Sequence, residues 1–390
     1  MAFSDVSNST LAYIEESTWG TTPSSPELTQ IRKKSENIKS NVSVVVSDEV
    51  RSDRQVPDQS QVGGGVSNGF TFELSFAEYD PFIEHGLMND YSTVETITGT
   101  DLALSGANLT STASAFTSSK NKVGQWIKIS GSATSANNGI YKISSYAAGS
   151  LGLTDSAGAT ASFTSDSSNA SLSYSSSAMI RNGTTKKSMT IEKGFSDINQ
   201  YFQFTGMRTS DITFELTEQA ILQGSVNFVG KGTATATSTI DNAGGYTAVT
   251  SNPIMNASGN ITSVHESGTS FSGSFKSFTI GINNNLENQT AVGSADLAGV
   301  GVGRCEVTGD MSLYFEDTSL FSKFDGNTGT SFAFIVKDSS NNYYIFTIPN
   351  AKFTDNDIPT DSGSVIQSYS YQGFRDTTTD CQIQIDKISA

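Results

Sequence analysis

The chain has 390 residues and a formal net charge of −16, with 36% apolar and 16% charged residues, and Gly, Ser, Thr and Asn fill much of the remainder. Such a length allows roughly two or three domains, and the mixture suits a β-rich chain with many turns, since long helices need more Ala, Glu, Lys and Leu. It excludes a surface that grips nucleic acid through clustered Lys and Arg, and no run approaches the roughly 18 apolar residues of a membrane span. The start "MAFSDVSNST" has no basic stretch followed by an apolar one, so the chain is expected in the cytoplasm when made. Cys305 and Cys381 are too few for a disulfide framework and read as two buried reduced thiols.

In chain order, "VSVVV" (Val42 to Val46) reads as a strand. The stretch after it, "SDEVRSDRQVPDQSQVGGG" (Ser47 to Gly65), is a hairpin tip far longer than a hairpin needs. Its charges pair as Asp48 and Glu49 with Arg51, and Asp53 with Arg54, and cannot form a core by themselves. The tip is either solvated or an arm on a neighbouring subunit, where mixed charges give register and specificity more than affinity. Phe70 to Phe76 alternates, placing Phe70, Phe72 and Leu74 on one face and Thr71, Glu73 and Ser75 on the other. A helix follows, with Asp80 as N-cap, Pro81 at its first position, Phe82, Ile83 and Leu87 inward, and His85 on its surface.

Residues 96–177 are Ser/Thr/Ala/Gly-rich with short strand signals. Trp126, Ile127, Ile129, Ile140, Tyr141, Ile143, Leu151 and Leu153 suffice for a small barrel or sandwich, with turns at Gly131, Asn138-Gly139 and Gly149. This predicts an inserted all-β domain, with a flexible low-complexity linker as the alternative. Residues 232–270 are weakly patterned and read as a long connection.

The chain also resembles itself. Val44 to Val56 lies over Ile280 to Val292, matching Val44 with Ile280 and Val46 with Ile282. Val66 to Leu87 parallels Val307 to Gly326, where Met311, Leu313 and Phe315 share a face opposite Asp310, Ser312 and Tyr314. There Asp317 or Thr318 caps a helix, Leu320, Phe321 and Phe324 point inward, and Gly326 stops it. Downstream, "SMTIEKGF" matches "SFAFIVKD", "YFQFTGM" matches "YYIFTIP", and "ILQGSVNFVGK" matches "VIQSYSYQGFR". Five matches in one order predict two tandem β units: 1–95 with 178–231, interrupted by the insert 96–177, then the connection 232–270 and a second unit 271–390. The second unit has its own arm, "NNNLENQTAVGSADLAGVGVG", amide- and Gly-rich, with Asn284, Asn285 and Glu287 near its start.

Catalytic chemistry finds little support. His85 and His265 lie in different elements, and no Cys/His cluster has metal spacing. "GVGVGRC" (Gly299 to Cys305) leads into a strand, where a phosphate cradle needs a helix start. The carboxylates of Asp48 and Glu49 are ordinary in an acidic chain. No catalytic, metal or cofactor site is therefore expected. A rival to a purely structural role is an adhesin whose insert binds a receptor or glycan through Trp126 and Tyr141.

Several blocks, "LAYIEESTWGTTP", "SDEVRSDRQV" with "FELSFAEYDPFIE", "NGTTKKSMTIEKGFSDI", "YFQFTGM", "NPIMNASGNI", "INNNL", "GRCEVTGDMSLYFED" and "CQIQIDK", resemble the tail tube proteins (major tail proteins) of long-tailed, non-contractile bacteriophages. The resemblance covers nearly all of the chain except the insert. It implies a mainly β fold of tail-tube-type β-sandwich units, each with a short helix, whose inner sheets join into a ring-lining barrel on assembly. Rings stack through long loops, so Asp48, Glu49, Arg51, Asp53, Arg54, Asn284, Asn285 and Glu287 become candidate inter-subunit or inter-ring arms. Residues such as Glu73 and Asp310 become candidate lumen lining, past which DNA moves without specific binding. Because such rings are commonly hexamers of single units, a duplicated chain predicts a trimer with pseudo-sixfold symmetry. A ring of six chains is the alternative. The implied place is the virion tail, with other tail proteins at the tube ends, the insert on the exterior and synthesis in the host cytoplasm.

Overall fold

The computed structural model describes residues 3–271, 273–360 and 363–390. Strands dominate it, with two short helices, α1 (Asp80–Leu87) and α2 (Ser319–Asp325). The principal strands are β1 (Ser9–Glu15), β2 (Lys39–Val46), β3 (Gln59–Glu73), β4 (Met189–Phe195), β5 (Gln200–Thr217) and β6 (Gln223–Gly230). They continue with β7 (Ile261–Glu266), β8 (Phe275–Asn283), β9 (Glu306–Tyr314), β10 (Thr330–Lys337), β11 (Tyr343–Asp357), β12 (Ile366–Gly373) and β13 (Gln384–Ile388).

Antiparallel pairing joins the first series in the order β2, β3, β6, β5, β4, β1. The second series runs β8, β9, β12, β11, β10, β7. Bulges also recur at matching places, Thr209/Asp211 in β5 and Phe353/Asp355 in β11, then Phe204/Met207 in β5, opposite Ile191 and Met189, and Ile348/Ala351 in β11, opposite Phe332 and Thr330. At its bulge each long strand passes from an outer sheet to an inner one, as strands do at the corner of a sandwich. Phe70, Phe72, Phe214, Phe228, Phe278, Phe332, Phe346 and Tyr371 fill the space between the sheets as one continuous core. β5 pairs directly with β8, so the inner sheets form a single surface: β2, β3, β6, β5, β8, β9, β12, β11.

The ladder also fixes which residues correspond. Phe70 and Met311 hold equivalent places, as the sequence match had them, through Val226 and Tyr369. In β2, however, Val66 faces Ser40, whereas Val307 faces Ile282. Ser40, not Val46, therefore stands where Ile282 stands, and Val44 and Val46 lie beyond the sheet on a projecting ribbon. The strand β7 occupies the stretch read as connection, because its partly buried Ile261 and Val264 pack on the core and its backbone pairs with β10.

Other placements differ from expectation for local reasons. Helix α1 begins at Asp80 itself, with Tyr79 as N-cap, and the Asp80 carboxylate receives Lys387 and the Tyr344 hydroxyl. His85 is buried, since α1 lies against β5 and the end of β1; its Nε2 is 3.3 Å from Glu15 Oε1. A methyl group at Gly86 would stand 2.3 Å from Ile212, so glycine permits that close packing. Leu320 is buried and Phe324 packs on the core, but Phe321 and Phe315 are exposed, because α2 covers its sheet with a narrower face. Ser75 lies beyond the end of β3 and is buried where it bridges to Ile254.

Eight strands between Thr96 and Ser176 form a separate antiparallel sheet over their own core, including Leu102, Leu109, Ile129, Leu151 and Tyr174. This sheet docks on the outer face of the outer sheet of the second series. Trp126 and Ile140 pack with Ile335, Ile345 and Ile388. Asp386 accepts from the Trp126 backbone N–H at 3.2 Å and the Ser177 hydroxyl at 2.5 Å. Trp126 and Tyr141 are both buried, so neither is available as a surface receptor contact.

Candidate assembly surfaces

The first surface is the free edge of β2. Asn37 and Ser47 direct their N–H groups to Gly69 and Asp58 on the β3 side. By the two-residue period of a strand, Ser40, Val42, Val44 and Val46 direct theirs outward, where no strand among the described residues pairs with them. Val42, Val44, Val45 and Val46 are all between 45% and 59% exposed. An apolar, unpaired edge is a template for another strand.

The second surface is the matching edge at the far end. On β5, residues 211–215 pair with β6 on one side, and 211–217 with β8 on the other. On β11, the equivalent residues Asp355, Asn356 and Asp357 pair, among the described residues, with β12 alone. The eight-stranded inner sheet thus ends in two edges, β2 and β11, whose relationship is that of β8 to β5. Within the chain Asp211 faces Asn283; carried to the edges by the ladder, the same geometry sets Asp355 opposite Asn41 and Asp357 opposite Lys39. The Asn and Asp pair of the internal junction is repeated, and a Lys and Asp pair is added.

The charged arm is shorter than the sequence implied, because Gln59 to Gly65 continue β3, leaving 47–58 as the tip. Asp48, Glu49, Arg51, Asp53 and Arg54 are exposed there. Arg51, not Arg54, holds Asp53, at 3.2 Å, and also reaches Glu49 at 4.0 Å. The Arg51 guanidinium keeps the Asp53 carboxyl below its ordinary range. The second arm behaves differently: Asn284 is buried and donates to the carbonyls of Gly86 at 2.9 Å and Thr209 at 3.1 Å, tying the second series to the first within one chain. Asn285 donates to Arg304 O, and Glu287 is exposed in a short ladder with Gly301.

The inner sheet's second face is polar. Glu73 and Asp310 lie on it, half-buried and exposed respectively, with Asp310 accepting from Ser370 at 2.6 Å. Asp211, Glu215, Asp355 and Asp357 share that face by register and were missed in the sequence; their alternation with Ile212, Phe214 and Leu216 was the available signal for the first two. Lys34 and Lys276 at the lower rim are engaged by Gln223 and Glu218.

No group of His, Cys, Asp and Glu among the described residues is arranged to hold a metal ion. Among them, no helix is long and apolar enough to cross a membrane. Both cysteines are free, and burial pushes the Cys305 thiol up to about 11. A family profile described as phage tail tube protein matches residues 6–373, nearly the whole chain. The chain belongs to the phage tail tube protein family. A search of curated proteins finds no match. As a tail tube protein the chain is a structural component of the virion tail, and its two open edges acquire a context in which self-assembly is the expected use.

Proposed function

We propose that the chain is a tandem duplication of one tube unit, with 96–177 as an exterior insert, and that three copies close into a ring lined by a continuous barrel. Rings stack into the tube through which DNA leaves the particle. The observation that carries this reading is the pair of unpaired edges, β2 and β11, which reproduce the internal β5 to β8 junction with the same Asn and Asp residues. A heterologous contact of this kind closes into a ring when its rotation allows. Four inner strands from each series and three chains give a barrel of about 24 strands. At about 4.8 Å between strands and a tilt of about 40°, its diameter is roughly 48 Å, leaving room for a DNA duplex inside the side chains. Six chains would double that width. Glu73, Asp211, Glu215, Asp310, Asp355 and Asp357 then face the channel, where negative charge repels phosphate and the DNA slides without binding.

The seam is testable by a disulfide. Asn41 and Asp355 are expected to form a pair not joined by backbone hydrogen bonds, with Cα atoms about 4.5 Å apart, within disulfide reach. Oxidised Asn41→Cys/Asp355→Cys protein should run on a non-reducing gel as one, two and three linked chains and no more. The native thiols do not compete, Cys381 being buried and Cys305 half-buried. Monomers alone would refute the seam, and a ladder to six would refute the trimer.

A further inference from the structure

We infer that the first arm of each chain, residues 47–58, lies across the top of the second unit of the chain beside it in the same ring; this rests on the seam proposed above. The internal junction supplies the precedent. There the second arm leaves β8 and folds back over the first series, burying Leu297 and Val300. Arg208 donates to the Val300 carbonyl at 2.5 Å. A methyl group at Gly65 would meet Leu297 at 3.5 Å, and one at Gly232 would meet the Asp296 carboxylate at 3.0 Å.

The same landing exists on the second series, where no arm among the described residues covers it. Lys352 stands on β11 where Arg208 stands on β5, each opposite the equivalent residue of the next strand, Gln372 and Val229. Phe374 and Arg375 follow β12 as Lys231 and Gly232 follow β6. Phe374 is 38% exposed and the Arg375 side chain 67% exposed. The first arm leaves the same end of the sheet as the second, at the tip of a ribbon that carries β2 five residues beyond Asn41, the match of Asn283 where β8 ends, so pairing β2 with a neighbour's β11 brings it over this surface. Its chemistry complements the landing in part: on the arm Asp48, Glu49, Asp53 and Asp58 outnumber Arg51 and Arg54, and the landing carries Lys352, Arg375 and Arg304, the last two also paired with Asp380 at 2.5 Å and Glu306 at 2.7 Å, while Val50, 98% exposed, and Val56, 72% exposed, supply apolar contacts beside Phe374. Mixed charge of this sort sets register between subunits.

The test places the photoreactive benzoylphenylalanine at Val50 in the full chain, irradiates the assembled protein and maps the attached peptides. The expected result is covalent species of two and three chains and none larger, attached within 304–306, 350–354 or 373–376 of the second chain. Attachment at the opposite end of the inner sheet, in the apolar pocket of about 390 Å³ beside Leu216, Phe271 and Phe275, with a ladder beyond three chains, would overturn the inference by placing the arm on the next ring. Attachment only within its own chain, or none, would also overturn it. The Asn41→Cys/Asp355→Cys disulfide reads the seam separately: its formation without the arm adduct leaves the ring standing and removes only this inference.

Discussion

At the scale of single residues, the most consequential group outside the edges is Asp386. It is wholly buried between the inserted sheet and β13, and it accepts from Trp126, Ser177 and Gln384, the last at 2.6 Å. Burial pushes its carboxyl up to about 6, with those hydrogen bonds offsetting part of the effect. Because the folded-state value is raised above the ordinary one near 3.9, protonation favours the fold. The contribution is fully present below about pH 4 and is lost as pH rises through 6, a difference of roughly 3 kcal/mol for a shift of about two units. Asp386→Asn keeps the acceptor for Trp126 and Ser177 without the charge. Its stability relative to the natural protein, read from denaturant midpoints, should therefore rise between pH 4.5 and 7.5. A difference that stays constant over that range would contradict the assignment. Sequence reading gave no hint of Asp386, since a carboxylate in "CQIQIDK" looks like any strand-end acid until the insert is seen to cover it.

At the scale of elements, the inserted sheet is more than an attachment. Its strands interrupt the first series in sequence, yet it packs on Ile335, Ile345 and Ile388 of the second. Glu95 and Ser176 are joined by a backbone hydrogen bond of 2.9 Å, so the chain can be closed across the deletion with little strain. Deleting 96–177 alone should nevertheless give precipitating protein, because three isoleucines and their neighbours become an exposed apolar patch. The same deletion with those isoleucines changed to Thr should stay soluble, as judged by size-exclusion chromatography. Solubility of the plain deletion would show that the docked face contributes little. Period-two alternation made Phe70 to Leu74 and Met311 to Leu313 readable, since a buried face leaves its mark in the residues. Register was legible only in part. The bulges in β5 and β11 add residues without changing composition, and Val44 and Val46 imitate core positions although they lie on an exposed edge. Apolar residues on β2 stand on an edge that no other strand among the described residues covers, and a single sequence cannot distinguish such residues from ones with a partner inside the chain. For the same reason Asn284 read as an arm contact, when its amide is taken up inside the chain.

At the scale of the molecule, this acidic, mainly β chain has an eight-stranded inner sheet ending in two edges, β2 and β11, each of which is half of the interface we propose. Its three layers, inner sheet, outer sheet and the separate sheet of residues 96–177, would order the radial direction of the ring we propose: acidic face toward the channel, core between the sheets, residues 96–177 outward. Its arms leave the end of the inner sheet opposite to the apolar pocket at Leu216 and Phe275, so the two ends of the proposed ring would differ and its stacking would be polar. The central claim is that three chains close the ring through β2 and β11. Cryo-electron microscopy of the assembled protein, averaged in end-on view, tests it most directly. The account predicts a hollow ring with a wall of six similar lobes and three outward knobs formed by residues 96–177. Six knobs would contradict the stoichiometry, and compact particles without a channel would contradict the assembly itself.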